Sequence, residues 1–255
     1  MADIKKSTAV VVSAVEISKD IFSMWLNNSD ITSKAKAGQF VNVYCKDGSK
    51  LLPRPISICE IDKEAGNLRL VYRIAGEGTR EFSNLKEGDT IEIMGPLGNG
   101  FTLEGTNAIL IGGGIGIPPM LQLAKDLNCN KKIVLGYRDT LFLNEEFEGL
   151  GEVYISTEDG SCGTKGNVID AIKENNLDAD IIFACGPTPM LRGIKEYAEA
   201  NGITAQISLE ERMACGIGAC LACVCKSKEK DHHTNVNNKR VCKDGPVFYS
   251  KEVEL

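Results

Sequence analysis

Residues 108–119 read AILIGGGIGIPP, and this stretch determines the fold predicted for the second half of the chain. Its four apolar residues, glycine turn and paired prolines predict a buried strand that turns sharply into a helix. The amino terminus of such a helix can bind phosphate through free N–H groups and the helix dipole. The glycine spacing departs from the dinucleotide fingerprint, because Ile117 or Pro119 stands where the third glycine belongs, so a purely structural turn explains the pattern equally well.

The alternation of strand, turn and helix continues to residue 209. The predicted strands are Ala108–Ile111, Lys132–Tyr137, Val153–Ser156, Ile181–Ala184 and Thr204–Leu209, and the predicted helices are Pro118–Leu127, Asn167–Glu174 and Pro189–Ala200. This alternation is typical of a doubly wound parallel sheet.

The amino-terminal part of the chain consists of short β-rich runs separated by turn residues. Its predicted strands are Thr8–Ile17, Ile21–Leu26, Phe40–Tyr44, Ile56–Ile61, Leu68–Ile74 and Thr90–Ile93. Six strands at this spacing predict a small antiparallel barrel, and GPLGNG at residues 95–100 predicts a linker. We therefore expect a multidomain β plus α/β protein with a barrel (1–100), an α/β domain (101–209) and a cysteine-rich segment (210–255). That segment is too small to form its own hydrophobic core, so we predict that a metal centre stabilises it.

The formal charge of -6 and the pI near 5.2 disfavour polyanionic partners, and we find no basic tract interleaved with aromatic residues that would indicate nucleic-acid binding. No run approaches the roughly 18 apolar residues that span a bilayer. The apolar stretch at Thr8–Val15 is short and lacks a cleavage pattern. We expect a soluble, cytoplasmic protein without nucleic-acid or membrane partners, whose ten cysteines are not presumed to be disulfides.

Three cysteines near the carboxy terminus, Cys215, Cys220 and Cys223, have the C-x4-C-x2-C spacing of plant-type [2Fe-2S] proteins. Gly216 and Gly218 between them let the backbone fold closely around inorganic sulfides and aim N–H groups at them. The spacing therefore predicts an iron–sulfur cluster with a fourth cysteine ligand further along.

Spacing alone allows Cys225 or Cys242 as the fourth ligand. Two cysteines one residue apart point along the same strand face, which disfavours Cys223 and Cys225 at one compact cluster with Cys220. We predict Cys242 as the ligand and Cys225 as a core thiol. The alternatives are free thiols or a structural zinc site, although zinc sites usually repeat C-x2-C pairs. His232 and His233 would be candidates for such a zinc site, but we assign both to a solvated loop.

An arginine between two prolines, in Pro53–Ser57, is held at the end of a strand where its guanidinium can meet a phosphate. Further on, Tyr72 and Arg73 offer an aromatic stacking face and a second cation. Gly76–Thr79 offers an open turn with a hydroxyl, which suits a pyrophosphate. Without other information an ordinary surface turn remains the alternative.

Two carboxylates follow a predicted strand in Ser156–Asp159, where such folds contact the adenosine ribose. Carboxylates there would repel a 2′-phosphate and accept from a 2′-hydroxyl, so NADH is preferred over NADPH. An exposed, solvated acidic turn is the alternative. Cys185–Pro187 stands at another strand end; the alternative for its thiol is a small residue that fits a tight space.

Four motifs occur in an order and spacing that resemble the ferredoxin-NADP reductase superfamily: Arg54–Ser57, Gly78–Thr79, Gly112–Gly116 and Cys185–Pro187. The resemblance implies that the barrel binds FAD and that the parallel sheet binds a nicotinamide dinucleotide. It implies FAD contacts at Arg54 (phosphates), Pro55, Ile56, Ser57 (near the reactive edge of the isoalloxazine), Val71, Tyr72, Arg73 (lining the flavin), and Gly78 and Thr79 (pyrophosphate). It implies dinucleotide contacts at Gly112, Gly113, Gly114 and Gly116, with Cys185, Gly186 and Pro187 flanking the nicotinamide.

The cluster motif, Ser208–Cys223, and the ending, Arg240–Phe248, closely resemble the electron-transfer subunits of type B dihydroorotate dehydrogenases. That resemblance implies a relay through FAD and a [2Fe-2S] cluster held by Cys215, Cys220, Cys223 and Cys242. The relay would pass electrons to NAD from an FMN-containing catalytic subunit that oxidises dihydroorotate in pyrimidine synthesis, with two copies of each subunit. No general acid or nucleophile is required.

Two other functions remain open at this point. One is an NADH-dependent electron-input subunit of a sulfide dehydrogenase, hydrogenase or sulfite reductase. The other is a metal-stapled binding module without redox chemistry.

Overall fold

Six antiparallel strands close into a barrel in the computed structural model, which describes residues 5–230 and 235–255. The strands are β1 (Lys6–Ser18), β2 (Ile21–Asn27), β3 (Phe40–Tyr44), β4 (Arg54–Asp62), β5 (Asn67–Arg73) and β6 (Thr90–Leu97). They are hydrogen-bonded in the order β1-β2-β5-β4-β3-β6, and their inward apolar side chains fill the barrel. The predicted barrel is confirmed. Two short helices, α1 (Ser29–Thr32) and α2 (Glu77–Phe82), were not predicted from the sequence.

The prediction of a linker at residues 95–100 is wrong for its first half. The strand β6 continues through Gly95 to Leu97, because Leu97 still pairs with Phe40 of β3 and is buried. The second half is fixed as well, since the backbone N–H of Asn99 donates to the Gly245 carbonyl at 2.6 Å. This stretch therefore joins the barrel to the carboxy-terminal part of the chain.

The second half forms a parallel sheet with helices on both faces, as predicted. Its strands are β7 (Asn107–Gly113), β8 (Asn130–Tyr137), β9 (Glu152–Thr157), β10 (Thr164–Lys165), β11 (Ile181–Cys185) and β12 (Thr204–Ser208), and its helices are α3 (Pro118–Asp126), α4 (Val168–Glu174) and α5 (Thr188–Asn201). The strand order is β10-β9-β8-β7-β11-β12. From β7 the chain adds β8, β9 and β10 on one side, and it then crosses to the other side of β7 to add β11 and β12. The helix α3 packs in one apolar core, and α4 and α5 pack in another.

The carboxy-terminal segment forms a hairpin and then joins the parallel sheet. Its strands are β13 (Val224–Lys226), β14 (Asn238–Arg240) and β15 (Val247–Tyr249). The strand β15 pairs antiparallel with β12, and Phe248 and Val253 are buried in the same core as Ile207. The segment thus shares the core of the sheet rather than relying on a metal centre alone, while the three domain boundaries stay predictions. His232 and His233, predicted in a solvated loop, lie outside the described residues.

In the described part of the chain, no helix is both long enough and apolar enough to cross a bilayer.

Candidate cofactor sites

The four predicted cluster ligands come together in two pairs. The Cys220 thiol lies close enough to that of Cys215, and the Cys223 thiol close enough to that of Cys242, to shift the pKa of its neighbour. The backbone N–H of Cys242 also donates to the Cys223 Sγ at 3.4 Å. Within residues 5–230 and 235–255, no three histidine, cysteine or carboxylate side chains are placed to hold one metal ion. Two thiolate pairs match a two-iron cluster, in which each iron takes two cysteines, better than one tetrahedral zinc.

The loop around Cys215 aims backbone N–H groups at sulfur. The N–H groups of Ile217 and Ala219 lie 3.5 and 3.3 Å from the Cys215 Sγ, and that of Gly218 lies 3.2 Å from the Cys242 Sγ. Burial acts to raise the pKa of Cys215, but these donors and Cys220 outweigh it and lower that pKa to about 6. The loop therefore favours a thiolate, the form that binds metal. Gly216 and Gly218 have φ of +72° and +82°, a backbone region that disfavours other residues.

Cys225 and Cys242 are both buried in the core shared with the sheet, and they differ in their neighbours. Burial and the neighbouring Cys223 raise the pKa of Cys242 to about 12. Cys225 is buried in the core shared with the sheet, and burial raises its pKa to about 11, with Glu211, Cys223 and Lys239 as its charged neighbours. Both cysteines share this core, so Cys225 as a core thiol and Cys242 as the fourth ligand stay predictions.

A half-covered strip at the start of β4 carries the predicted flavin residues Arg54–Ser57. The strand becomes fully buried immediately afterwards, at Ile58 and Cys59. Arg54 donates to the Leu52 carbonyl and lies against Gly78, where an added Cβ would stand 2.1 Å from the Arg54 Nε. The strip and the first turn of α2 thus form one cradle with a fixed guanidinium, which fits the phosphates of FAD.

Thr79 stabilises this turn from within. Its hydroxyl accepts from the backbone N–H groups of Ala75 and Gly76 at 2.9 and 3.2 Å and donates to the Gly76 carbonyl at 3.0 Å. The hydroxyl therefore orders the backbone that faces Arg54.

The side chains of Val71, Tyr72 and Arg73 diverge. Strand alternation turns Tyr72 into the barrel, where its ring packs against Phe22 and Phe82 and is 2% exposed. The ring is therefore not available as a flavin-stacking face, which corrects that prediction. Val71 is buried against the parallel-sheet half, and Arg73 lines a cleft between the two halves.

Asn42 of β3 connects the flavin strip to the cluster loop. It pairs with Pro55 on the adjacent strand β4, and its Nδ2 donates to the Cys215 carbonyl at 3.4 Å. Asn42 is fully buried, and an added Cβ at Gly216 would stand 2.2 Å from its Nδ2. The cluster loop therefore packs on β3, the strand next to the flavin strip, and the axes of neighbouring strands lie about 4.8 Å apart.

A cleft of about 460 Å³ opens between the barrel and the carboxyl ends of the parallel strands. Its walls include Arg73 from the barrel, Gly113 and Gly114 after β7, and Pro187 after β11. Adjacent β7 and β11 are the strands at which the sheet order reverses, where ligands bind in open α/β sheets. The volume lies in the range of small-molecule sites.

The other glycines predicted to contact the dinucleotide, Gly112, Gly116 and Gly186, pack behind the wall of the cleft. A Cβ on Gly116 would stand 2.3 Å from the Cys185 carbonyl oxygen, and one on Gly186 would stand 3.3 Å from the Gly113 Cα. Gly112 packs equally closely on Ile117. Burial raises the pKa of Cys185 to about 12, so its thiol is a neutral packing group. The loops after β7 and β11 thus pack directly on each other, because neither carries side chains at the contact.

Of the two predicted acidic residues, only Glu158 lines the cleft. Asp159 accepts from the backbone N–H of Ser161 at 2.9 Å, a bond that lowers its pKa. Ser156, also in the wall, is fully buried, and its Oγ has no protein partner. An unpaired buried hydroxyl is a group that a bound ribose could satisfy.

Several residues in these sites were not predicted from the sequence. Asn42 gave no signal, because it is a single polar residue in an apolar strand. Arg138 and Asn167 also line the cleft, and Asn167 begins α4 by accepting from the Ile169 N–H at 2.8 Å. A capping asparagine after a glycine was the available signal for the latter.

Two domain models match the chain. Residues 210–254 match the iron-sulfur cluster binding domain of dihydroorotate dehydrogenase B, and residues 8–101 match the oxidoreductase FAD-binding domain. The chain is therefore a flavin and iron–sulfur oxidoreductase subunit. Two bacterial relatives define it further.

The dihydroorotate dehydrogenase B (NAD(+)) electron transfer subunit of Fusobacterium nucleatum is 47% identical over 256 residues, which cover 94% of this chain and 95% of the relative. The subunit of the same description from Caldanaerobacter subterraneus is 44% identical over 250 residues, which cover 97% and 98%. The chain belongs to this family of electron transfer subunits, as its motifs predicted, and these relatives do not favour the other electron-input complexes.

Solved structures agree with the superfamily predicted from the motifs. The structure of an NADH-dependent reduced ferredoxin-NADP oxidoreductase has a TM-score of 0.87 and 32% identity, and the match covers 100% of this chain and 91% of that one. The ferredoxin reductase in carbazole 1,9a-dioxygenase has a TM-score of 0.66 at 20% identity, covering 78% and 67%. The second similarity concerns the fold alone.

Proposed function

We propose that this subunit carries electrons between NAD and an FMN-containing catalytic partner that oxidises dihydroorotate to orotate in pyrimidine synthesis. Dihydroorotate loses two electrons and two protons; NAD⁺ takes up two electrons and one proton as a hydride equivalent, and one proton is released. When bound, FAD would supply the exchange between two-electron hydride transfer and one-electron steps. The chain itself has to hold the nicotinamide, the flavin and the cluster in line.

The observation that carries this proposal is the position of Asn42. Its backbone pairs with Pro55 of the flavin strip while its side chain donates to the Cys215 carbonyl at 3.4 Å. A flavin on the strip and a cluster on the loop would therefore be neighbours, which single-electron transfer requires.

The outer edge of the cluster loop supports docking of the partner. Cys220 is exposed, and two exposed apolar side chains flank it, Ile217 at 48% and Leu221 at 60% exposure. Exposed apolar residues around a redox centre suit a protein interface. We propose two copies of each subunit in the complex. The ten free cysteines suit the reducing cytoplasm, which we propose as the location.

The cofactor contacts follow from the cradle, the cleft and the sulfur pairs. For FAD we propose Arg54, Pro55, Ile56, Ser57, Gly78 and Thr79, with Val71, the Tyr72 backbone and Arg73 at the flavin edge. For NAD(H) we propose Gly113, Gly114 and Pro187 in the wall, with Gly112, Gly116, Cys185 and Gly186 supporting it. For the [2Fe-2S] cluster we propose Cys215, Cys220, Cys223 and Cys242. Glu158 in the wall favours NADH over NADPH.

The test is to co-express the full chain with an FMN-containing dihydroorotate dehydrogenase subunit and to add dihydroorotate to the purified complex, first alone and then with NAD⁺. We expect copurification in equal amounts, bleaching of the flavin absorbance and formation of NADH and orotate in equal amounts. Iron and acid-labile sulfide assays should each give two per chain, with one released FAD.

Two results would contradict this proposal. A coloured complex that NADH bleaches but dihydroorotate does not would exclude the partner assignment and leave the electron-input function. A colourless chain that holds one zinc would exclude the relay altogether.

A further inference from the structure

A largely buried arginine ties the barrel to the parallel-sheet half at some distance from the cofactor contacts. Arg69 of β5 is 8% exposed. Its Nη2 donates to the Glu146 Oε1 at 2.9 Å and its Nη1 donates to the other oxygen of the same carboxylate. Its Nε donates to the Ser23 Oγ at 2.7 Å. This is the two-pronged geometry that fixes orientation as well as distance.

A second ion pair crosses the same interface. Glu60 of β4 accepts from the Arg69 Nη1 at 3.4 Å and also pairs with Lys125 of α3. Two positive and two negative side chains, two from each half, thus form one network. Arg69 is buried, whereas the Glu146 side chain is 39% exposed. Ion pairs at such partly exposed sites add little net stability, so the main effect of this one is to define how the two halves are oriented.

Glu146 and Arg69 each connect this network to the cleft. Glu146 lies in the one-turn 3-10 helix Asn144–Phe147, and the residues just before it, from Arg138 to Phe142, include four that line the cleft. The hydroxyl of Tyr137, the residue before this segment, donates to the carbonyl of Phe142, its last residue, at 2.9 Å.

The barrel side of the link is the strand β5 itself. Strand alternation puts Arg69, Val71 and Arg73 on the same outward face, and Arg73 lines the cleft. The four-residue separation corresponds to about 13 Å along the strand. Both walls of the cleft are therefore built on elements that the Arg69–Glu146 pair holds together.

We propose that Arg69 and Glu146 are positioning residues that set the separation between the barrel wall and the sheet wall of the dinucleotide cleft. The inference rests on the proposed function only in that NADH binds in this cleft and reduces the flavin. Hydride transfer is sensitive to small displacements, since a shift of about 1 Å from a remote substitution can cost about a hundredfold in rate.

The test replaces both charges with apolar groups of similar volume, in the double variant Arg69→Met/Glu146→Leu of the full chain. We expect its melting temperature, FAD content and iron content to match those of the parent. We expect the Kd for NADH, measured from flavin fluorescence, to rise about tenfold. In stopped-flow experiments the rate of flavin reduction by NADH should fall about a hundredfold.

A matched control removes an ion pair at the opposite end of the sheet, Lys132 with Asp178. The variant Lys132→Met/Asp178→Asn should leave the Kd and the rate unchanged. If the double variant at Arg69 and Glu146 does not fold, Glu146→Gln is measured in the same way and should show the same direction of change.

Parental values of both Kd and rate in a folded Arg69 or Glu146 variant would overturn the inference. A parent chain that does not bind NADH would overturn both this inference and the proposed relay. Flavin reduction by NADH does not involve the catalytic partner, so failure of dihydroorotate to reduce the complex would leave the positioning role intact.

Discussion

The guanidinium of Arg54 lies against the backbone of Gly78, so closely that a Cβ added at Gly78 would stand 2.1 Å from the Arg54 Nε. The two residues are 24 positions apart and meet only because the start of β4 and the first turn of α2 lie side by side. Gly78 is therefore required for the position of Arg54. The proposed contact of Arg54 with the FAD phosphates depends on this absence of a side chain.

The variant Gly78→Ala should lose FAD. The added methyl group would displace the guanidinium from the cradle, and the lost charge-assisted hydrogen bonds, each worth about 1.5–3 kcal/mol, should weaken FAD binding at least tenfold. The measurement is the amount of FAD released per chain after dialysis. Gly76→Ala is the control, because a Cβ there meets nothing within 4 Å. Equal FAD content in the two variants would exclude the predicted role of Arg54.

Cys242→Ser should abolish the [2Fe-2S] spectrum, whereas Cys225→Ser should preserve it. The Cys242 Sγ accepts from the Gly218 N–H of the cluster loop at 3.2 Å, whereas Cys225 lies on β13, opposite Lys239 of β14. The measurements are iron content and the electron paramagnetic resonance signal of the reduced cluster. Burying a hydroxyl at Cys225 should cost about 1–3 kcal/mol of stability without removing iron. Loss of the signal in Cys225→Ser alone would assign the fourth ligand to Cys225.

Gly116→Ala should lose NADH binding while retaining FAD and iron. Its Cβ would stand 2.3 Å from the Cys185 carbonyl oxygen, so the loops after β7 and β11 would have to separate. We expect the Kd for NADH to rise at least tenfold, in line with the cost of about 1–3 kcal/mol for overpacking. Gly193→Ala in α5 is the control, because its Cβ meets no atom within 4 Å and alanine favours helix. A parental Kd in folded Gly116→Ala would refute the placement of the dinucleotide.

Gly216→Ala should impair cluster assembly for two separable reasons. Its Cβ would stand 2.2 Å from the Asn42 Nδ2, and its φ of +72° costs a residue with a side chain about 1–2 kcal/mol. Adding Asn42→Ala removes the contact but not the backbone cost, so the double variant should recover part of the iron content. No recovery would mean that the contact between β3 and the loop does not limit assembly.

Glu158→Gln should increase the use of NADPH relative to NADH. Removing the negative charge from the cleft wall leaves Arg138, which lines the same cleft, free to attract a 2′-phosphate. We expect the ratio of kcat/KM for NADPH to that for NADH to rise about tenfold, measured with ferricyanide as electron acceptor. Asp159→Asn is the control, because Asp159 accepts from Ser161 and does not line the cleft. An equal effect of the two substitutions would exclude a specific role for Glu158.

Most strands and the larger helices were predictable because their signals lie within a few neighbouring residues. The barrel strands, the turn at residues 112–116 and the two short intervals between Cys215, Cys220 and Cys223 are of this kind. Short elements such as α1 and β10 were missed, since a few residues carry too little periodicity to be distinguished from a turn.

The sequence by itself determined which cofactors this chain can hold, because cysteine spacing, glycine turns and the arginine between prolines are local patterns. The tertiary structure alone decided how these sites face one another. The bond from Asn42 to Cys215 spans 173 positions and the pair of Arg69 with Glu146 spans 77. The inward orientation of Tyr72 likewise depends on which face of β5 the barrel buries. Such contacts depend on packing between distant segments, which leaves no local pattern in the sequence.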